Sequence, residues 1–174
     1  MSNKLLNLLN KHKKCIPVLI ILIASIFVCI PLLNSNLDML YDDGVQHICR
    51  LMGTEQSIQE GGLFFPIISK FANEFGYSWN LFYSPLTAYL PLILRLLNFT
   101  YTNCIKIFMF LVVFLSGITM YLFTKTVTKN KKIALIASIL YIFSPYRFTD
   151  MYIRNALSEL TSFVFIPLVF MRII

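Results

Sequence analysis

Two long stretches without charge set the limits on how this chain can fold. Residues 15–33 and 107–124 contain no charged side chain, and a helix needs about 20 apolar residues to cross a hydrocarbon core of ~30 Å. Only 13% of the residues are charged and 57% are apolar, whereas an ordinary soluble domain is ~25% charged. The sequence therefore predicts an all-α integral membrane protein.

The first charge-free run, residues 15–33, has two possible interpretations: a cleaved signal peptide or a retained signal anchor. A basic leader, residues 1–14, precedes it, as in both cases. The run is too long for a typical signal-peptide core, and no A-x-A-like cleavage site follows it. We therefore predict a retained anchor. The cysteines lack metal-ligand spacing, and pairing of Cys49 with Cys104 stays open.

The net charge of +7 is distributed in two clusters. Four lysines lie in the leader, four more lie in KTVTKNKK (residues 125–132), and all eight acidic residues lie elsewhere. Lysine clusters beside apolar runs are typical of cytoplasmic loops of membrane proteins. This pattern predicts a multi-pass protein of the cell membrane with a cytoplasmic N-terminus, and it argues against a nucleic-acid partner.

The stretch SPLTAYLPLILRLLN (residues 84–98) is apolar but is not predicted to cross the membrane. Fifteen helical residues rise only about 22 Å, which is shorter than the ~30 Å core. Arg95 lies inside it and would cost several kcal/mol if it faced lipid. We predict a helix lying in the membrane surface.

These arguments give an all-α polytopic architecture with about four spans and a long external first loop that contains surface-lying helices. The predicted spans are residues 15–33, 104–124, 133–146 and 160–174. The external loops are 34–103, with helices at 44–60 and 84–98, and 147–159; the cytoplasmic parts are 1–14 and 125–132.

The first external loop carries candidate catalytic acids in YDDGVQHICRLMG. Asp43 and His47 are four residues apart and would share one helix face, with Asp42 beside them. A carboxylate there can act as a general base, or with the imidazole it can hold a divalent cation. The alternatives are that Asp43 and Gln46 form a capping box and that His47 is an ordinary interfacial histidine.

The second external loop, SPYRFTDMYIRNALSE, carries candidate anion-binding groups. Arg147, Asp150 and Arg154 follow an i, i+3, i+7 spacing, so two guanidinium groups could point the same way and bind a phosphate. The alternative is an ordinary salt-bridge ladder along a helix. The sequence contains no Gly-rich phosphate loop, zinc spacing or nucleophile elbow, and we assign no metal ligand.

Three segments together resemble a known family. YDDGVQHICRLMG after the first span, then FGYSWNLFYSPLTAYLP, then LYIFSPYRFTDMYIRNALSE after a basic turn, are similar to segments of the YfhO-like polytopic membrane proteins of bacteria. These in turn resemble the GT-C glycosyltransferases, which use lipid-phosphate sugar donors outside the membrane. The resemblance extends from Pro31 to Leu168.

The resemblance implies sugar transfer from a polyprenyl-phosphate carrier on the external face. Asp43 or Asp42 occupies the place of the catalytic base, with His47 beside it. Asp150, Arg154 and Glu159 match the region near the donor phosphate, and Arg147 with Arg154 would stabilise the charge that develops on the leaving phosphate. Members of the family are far longer, so the resemblance implies an N-terminal part that is inactive alone. No cofactor is implied beyond an optional divalent cation. The competing hypothesis is a non-catalytic membrane module that binds lipid headgroups or a partner protein.

Overall fold

Helices form nearly all of the regular structure. A computed structural model of the protein describes residues 3–34, 42–61 and 67–174. Within these ranges there is no β-strand, only one isolated bridge between Ile68 and Tyr77, so the predicted all-α class is confirmed. The helices are α1 Asn3–Asn34, α2 Gly44–Gln59, α3 Trp79–Phe82, α4 Leu86–Arg95, α5 Tyr101–Thr128, α6 Lys131–Ile142, α7 Pro145–Thr149, a π-helical turn Asp150–Arg154, and α8 Leu157–Ile173.

Two of these helices are long and apolar enough to cross a membrane. They are α1, through its segment Cys15–Leu33, and α5, which has 28 residues and a length of about 42 Å. Their outward faces expose large apolar side chains, such as Ile23 at 58% and Phe27 at 65%, as expected of a surface that meets lipid. The predicted count of about four spans is not confirmed.

The predicted span at 133–146 is interrupted before its end. Helix α6 stops at Ile142 after 12 residues, and Pro145 begins α7. Proline lacks the N–H that would continue the helix, and it disfavours helical geometry in the residue before it. The other predicted helices lie near their expected positions, since α2 covers most of 44–60 and α4 covers the middle of 84–98.

Helix α5 lies at the centre of the bundle and packs against α1, α4, α6 and α8. The core between these helices contains side chains without solvent exposure, including Ile21, Met109, Val113, Ile142 and Leu160. A tight turn joins α5 to α6. Lys129 ends α5 in the left-handed region, with φ 54°, and the side chain of Asn130 accepts hydrogen bonds from the first backbone N–H groups of α6.

The bundle has two chemically different ends. At one end α5 begins, and the segments 42–61, 67–100 and 145–159 pack around it; we call this the polar end. For example, the Tyr152 hydroxyl donates to the carbonyl of Val28 near the end of α1. At the other end lie Lys125, Lys129, Lys131 and Lys132, all exposed; we call this the basic end.

Helices α1, α5 and α6 approach closely at Gly117. A Cβ atom there would lie 2.6 Å from Cδ1 of Ile142 and 2.8 Å from Cγ2 of Ile21. Small residues allow such close packing of apolar helices. The crossing therefore depends on the absence of a side chain at this position.

We expect Gly117→Val to lower the free energy of unfolding by about 1–3 kcal/mol because it overpacks the crossing. The gain from removing a helical glycine, less than about 1 kcal/mol, is too small to compensate. Thermal unfolding in neutral detergent, followed by circular dichroism, measures the loss. Leu111→Val, on an exposed part of the same helix, is the control and should change stability little. Equal effects of the two substitutions would contradict the close packing.

Candidate functional site

The first and second external loops, which the sequence predicts to lie on the same side of the membrane, are side by side at the polar end. The backbone N–H groups of Asp42 and Asp43 donate to the carbonyls of Ile153 and Arg154, at 3.4 and 3.3 Å. His47 Nε2 lies 2.9 Å from the carbonyl oxygen of Asn155, 108 residues away in sequence. We call these three hydrogen bonds the loop junction. They hold the predicted catalytic acids next to the predicted anion-binding loop.

Asp42 is exposed and Asp43 is half-buried, and Asp43 immediately precedes α2. Its carboxylate makes no capping hydrogen bond to the helix. A capping box also needs the Asp43 N–H as a donor to Gln46, but that N–H bonds to Arg154. The capping-box alternative is therefore wrong. Neither aspartate side chain hydrogen-bonds another residue in the described parts of the chain.

His47 is buried, with 3% of its surface exposed. Because a carbonyl only accepts, Nε2 must carry the proton and donate to Asn155. The ring also meets the edge of Tyr83, with 5.2 Å between centroids. Burial, together with nearby Arg50, lowers the pKa of His47 from 6.5 to about 4. In this position His47 links the two loops and is not open to substrate or metal.

Arg50, one turn after His47, was not identified from the sequence. It is 1% exposed and donates to Asn80 Oδ1 at 3.1 Å, Thr87 Oγ1 at 2.9 Å and the Ser84 carbonyl at 2.6 Å. The guanidinium also lies 4.7 Å from the Tyr83 ring centroid. Burial lowers its pKa to about 10. The available signal was its spacing from His47, which places both side chains on one face of α2.

The second loop contains a compact ion-pair group. Arg154 pairs with Glu159 at 2.6 Å and with Asp150 at 3.1 Å, and the Tyr146 hydroxyl contacts both Arg154 and Glu159. The Arg154 hydrogen bonds lower the pKa of Glu159, whereas burial and the charge of Glu159 raise the pKa of Asp150. The salt-bridge alternative therefore describes Arg154 well.

A π-helical turn, not a regular α-helix, carries Asp150 and Arg154. Asn155 ends this turn in the left-handed region, with φ 54° and ψ 40°, which asparagine adopts more readily than most residues. The N–H of Ala156 then donates to the Asp150 carbonyl at 2.9 Å. This reversal of the chain direction allows α8 to begin at Leu157 and brings the Glu159 side chain next to Arg154.

Arg147 lies apart from Arg154, inside the bundle. It has no solvent exposure, donates to Ser116 Oγ at 2.7 Å, and its guanidinium lies 4.4 Å from the Phe163 ring centroid. Burial lowers its pKa to about 10. The predicted pair of guanidinium groups pointing the same way is therefore wrong, because the π-helical turn rotates Arg154 outward while Arg147 faces the core.

Three further features considered in the sequence analysis are a metal-ion site, the pair Cys49 and Cys104, and Arg95. No group of three or more His, Cys, Asp or Glu side chains that could hold a metal ion occurs where side chains are described, in residues 15–33, 42–61 and 67–174. Cys49 and Cys104 are free thiols. Arg95 pairs with Glu55 at 3.2 Å, so α4 places its basic residue against α2.

Comparisons with known proteins give one distant relative. The chain is 26% identical over 156 residues to an uncharacterized protein of Lactococcus lactis subsp. cremoris (strain MG1363). The alignment covers 87% of this chain and 25% of the relative, so the chain spans about a quarter of that protein's length. No protein-family model matches the chain. No solved structure matches it either.

We expect Arg50→Met to lower the free energy of unfolding by about 2–4 kcal/mol, because it leaves the buried oxygens of Asn80 and Thr87 without their charged donor. Hydrogen exchange should also become faster in residues 80–89. Arg95→Met is the matched control and should have a smaller effect, because Arg95 forms a more exposed pair. Exchange rates in 80–89 that stay unchanged in Arg50→Met would contradict this role.

His47 should make the stability depend on pH. Because its pKa is lowered from 6.5 to about 4, the unfolded chain binds a proton between these values and the folded chain does not. The stabilisation is therefore complete above pH 6.5 and decreases as the pH falls toward 4. Melting temperatures measured from pH 4 to 8 should show this decrease, and His47→Gln should remove most of it. If the melting temperature falls with pH equally in wild type and in His47→Gln, other groups cause the pH dependence.

Proposed function

We propose that this chain is part of a membrane-embedded glycosyltransferase resembling the GT-C class, which transfers a sugar from a polyprenyl-phosphate carrier. The main support is the loop junction, because it places Asp42 and Asp43 against the backbone of Arg154. In the proposed site a carboxylate of this pair serves for proton transfer and the Arg154 guanidinium serves for phosphate binding. The proposed orientation has the basic end in the cytoplasm and the polar end outside.

In the proposed reaction, Asp43 acts as the general base. The acceptor hydroxyl oxygen attacks the anomeric carbon of the sugar, and Asp43 takes the hydroxyl proton. The bond from the anomeric carbon to the phosphate oxygen breaks, and polyprenyl phosphate leaves with the bonding electrons. The half-buried position of Asp43 and its lack of a capping bond support this role, since the carboxylate is available to the acceptor.

Arg154 is the proposed contact of the donor phosphate. Its side chain is 41% exposed, and that of Glu159 is 42% exposed, so a ligand can reach this ion pair from solvent. In this proposal the donor phosphate replaces Glu159 and takes over its two hydrogen bonds from Arg154. Buried Arg147 and Asp150 do not reach the ligand in this arrangement; they and His47 act by positioning the loop and through their charge.

Asp43→Asn separates this proposal from a non-catalytic module that binds anionic lipids. We expect the substitution, made in the gene at its own locus, to reduce the protein's glycan product in the cell envelope by about 100-fold or more. Mass spectrometry of envelope glycans measures the product. Binding of undecaprenyl phosphate to the purified protein should change less than twofold, because Asp43 does not contact the donor phosphate.

Glu74→Gln is the matched control, because Glu74 is an exposed acid of the same external segment. It should leave both the glycans and the lipid binding unchanged. Envelope glycans that are identical in wild type and Asp43→Asn, with lipid binding intact, would favour the binding module over the enzyme.

A further inference from the structure

A crevice of about 350 Å³ opens at the basic end, between α1 and the last turns of α5. This volume lies within the ~300–1,000 Å³ range of ligand-binding pockets. Its lining is mostly apolar and includes two lysines, both of which are exposed to solvent. The lining residues used below are Val18, Ile118, Tyr121, Leu122, Lys125 and Lys131.

The charge around this crevice is entirely positive. No acidic residue occurs before Asp38, or between Glu74 and Asp150, so α1, α5 and α6 contain none. Within the described parts of the chain, no salt bridge involves Lys125 or Lys131. The Lys125 ammonium lies 5.8 Å from the ring centroid of Tyr121. An anion at the rim would therefore meet two lysines and no competing carboxylate.

The crevice opens on the apolar surface of the bundle. Val18 is 42% exposed and Leu122 is 41% exposed, so a ligand can enter from the side that faces lipid. A free inorganic anion would leave the apolar walls unoccupied. A zwitterionic lipid would bring its own positively charged ammonium group close to the two lysines, which is repulsive. Only a molecule with an apolar chain and an anionic head matches both parts.

We propose that this crevice binds one anionic phospholipid, with an acyl chain against Val18, Ile118 and Leu122 and the phosphate between Lys125 and Lys131. Basic residues beside membrane helices are attracted to anionic lipids of the cytoplasmic leaflet, and the crevice adds a fixed position for one of them. The site lies about 36 Å along α5 from Tyr101. It is therefore separate from the proposed glycosyltransferase site and does not depend on it.

The first test compares two pairs of lysine substitutions that remove equal charge. The purified chain in neutral detergent is titrated with phosphatidylglycerol or with phosphatidylcholine of the same acyl chains, and native mass spectrometry counts the bound lipids. We expect wild type to prefer phosphatidylglycerol by about tenfold. Lys125→Gln with Lys131→Gln should abolish this preference, and Lys129→Gln with Lys132→Gln should keep most of it.

The second test fills the crevice without changing charge. Val18→Trp should exclude the acyl chain and reduce phosphatidylglycerol binding about tenfold. Ile23→Trp, on an exposed part of the same helix, should have no such effect. The proposal is overturned if wild type shows no preference, if both lysine pairs reduce binding equally, or if Val18→Trp binds phosphatidylglycerol like wild type.

Discussion

The arrangement of the polar end depends on the loop junction, which connects residues 42–47 to residues 153–155. Each of its three hydrogen bonds stabilises by only about 0.5–1.5 kcal/mol net. The contact of His47 is the buried one, so its loss would leave polar groups without water as a substitute. A neutral imidazole therefore supports the two backbone hydrogen bonds that join the aspartates to Ile153 and Arg154.

Two arginines at this end are fully buried, yet neither makes a hydrogen bond to a carboxylate within the described residues. Arg50 is surrounded by neutral oxygens and the Tyr83 ring, and Arg147 by Ser116 and two aromatic rings. Burying a cation is costly unless nearby dipoles and π-faces replace its water. Each arginine thus requires a specific set of neighbours, which discourages alternative packings of the loops.

The sequence predicts the class and the main helices because these depend on local patterns. The charge-free runs predict α1 and α5, and the short length and internal Arg95 of 84–98 agree with a helix of only ten residues. Prediction is weaker where a single residue changes the geometry. Pro145 ends the third run early, and a π-helical turn that ends at the left-handed Asn155 carries Asp150 and Arg154, whose spacing was considered as that of a regular helix. Arg50 was missed because its partners lie 30 to 37 residues away.

The left-handed backbone at Asn155 also limits how this loop can evolve. A residue with an ordinary side chain loses roughly 1–2 kcal/mol in that conformation, whereas glycine, asparagine and aspartate adopt it more easily. The same residue supplies the carbonyl that His47 contacts. A mutation there therefore affects the turn of the second loop and its attachment to the first loop together, so drift at position 155 is confined to a very small set of amino acids.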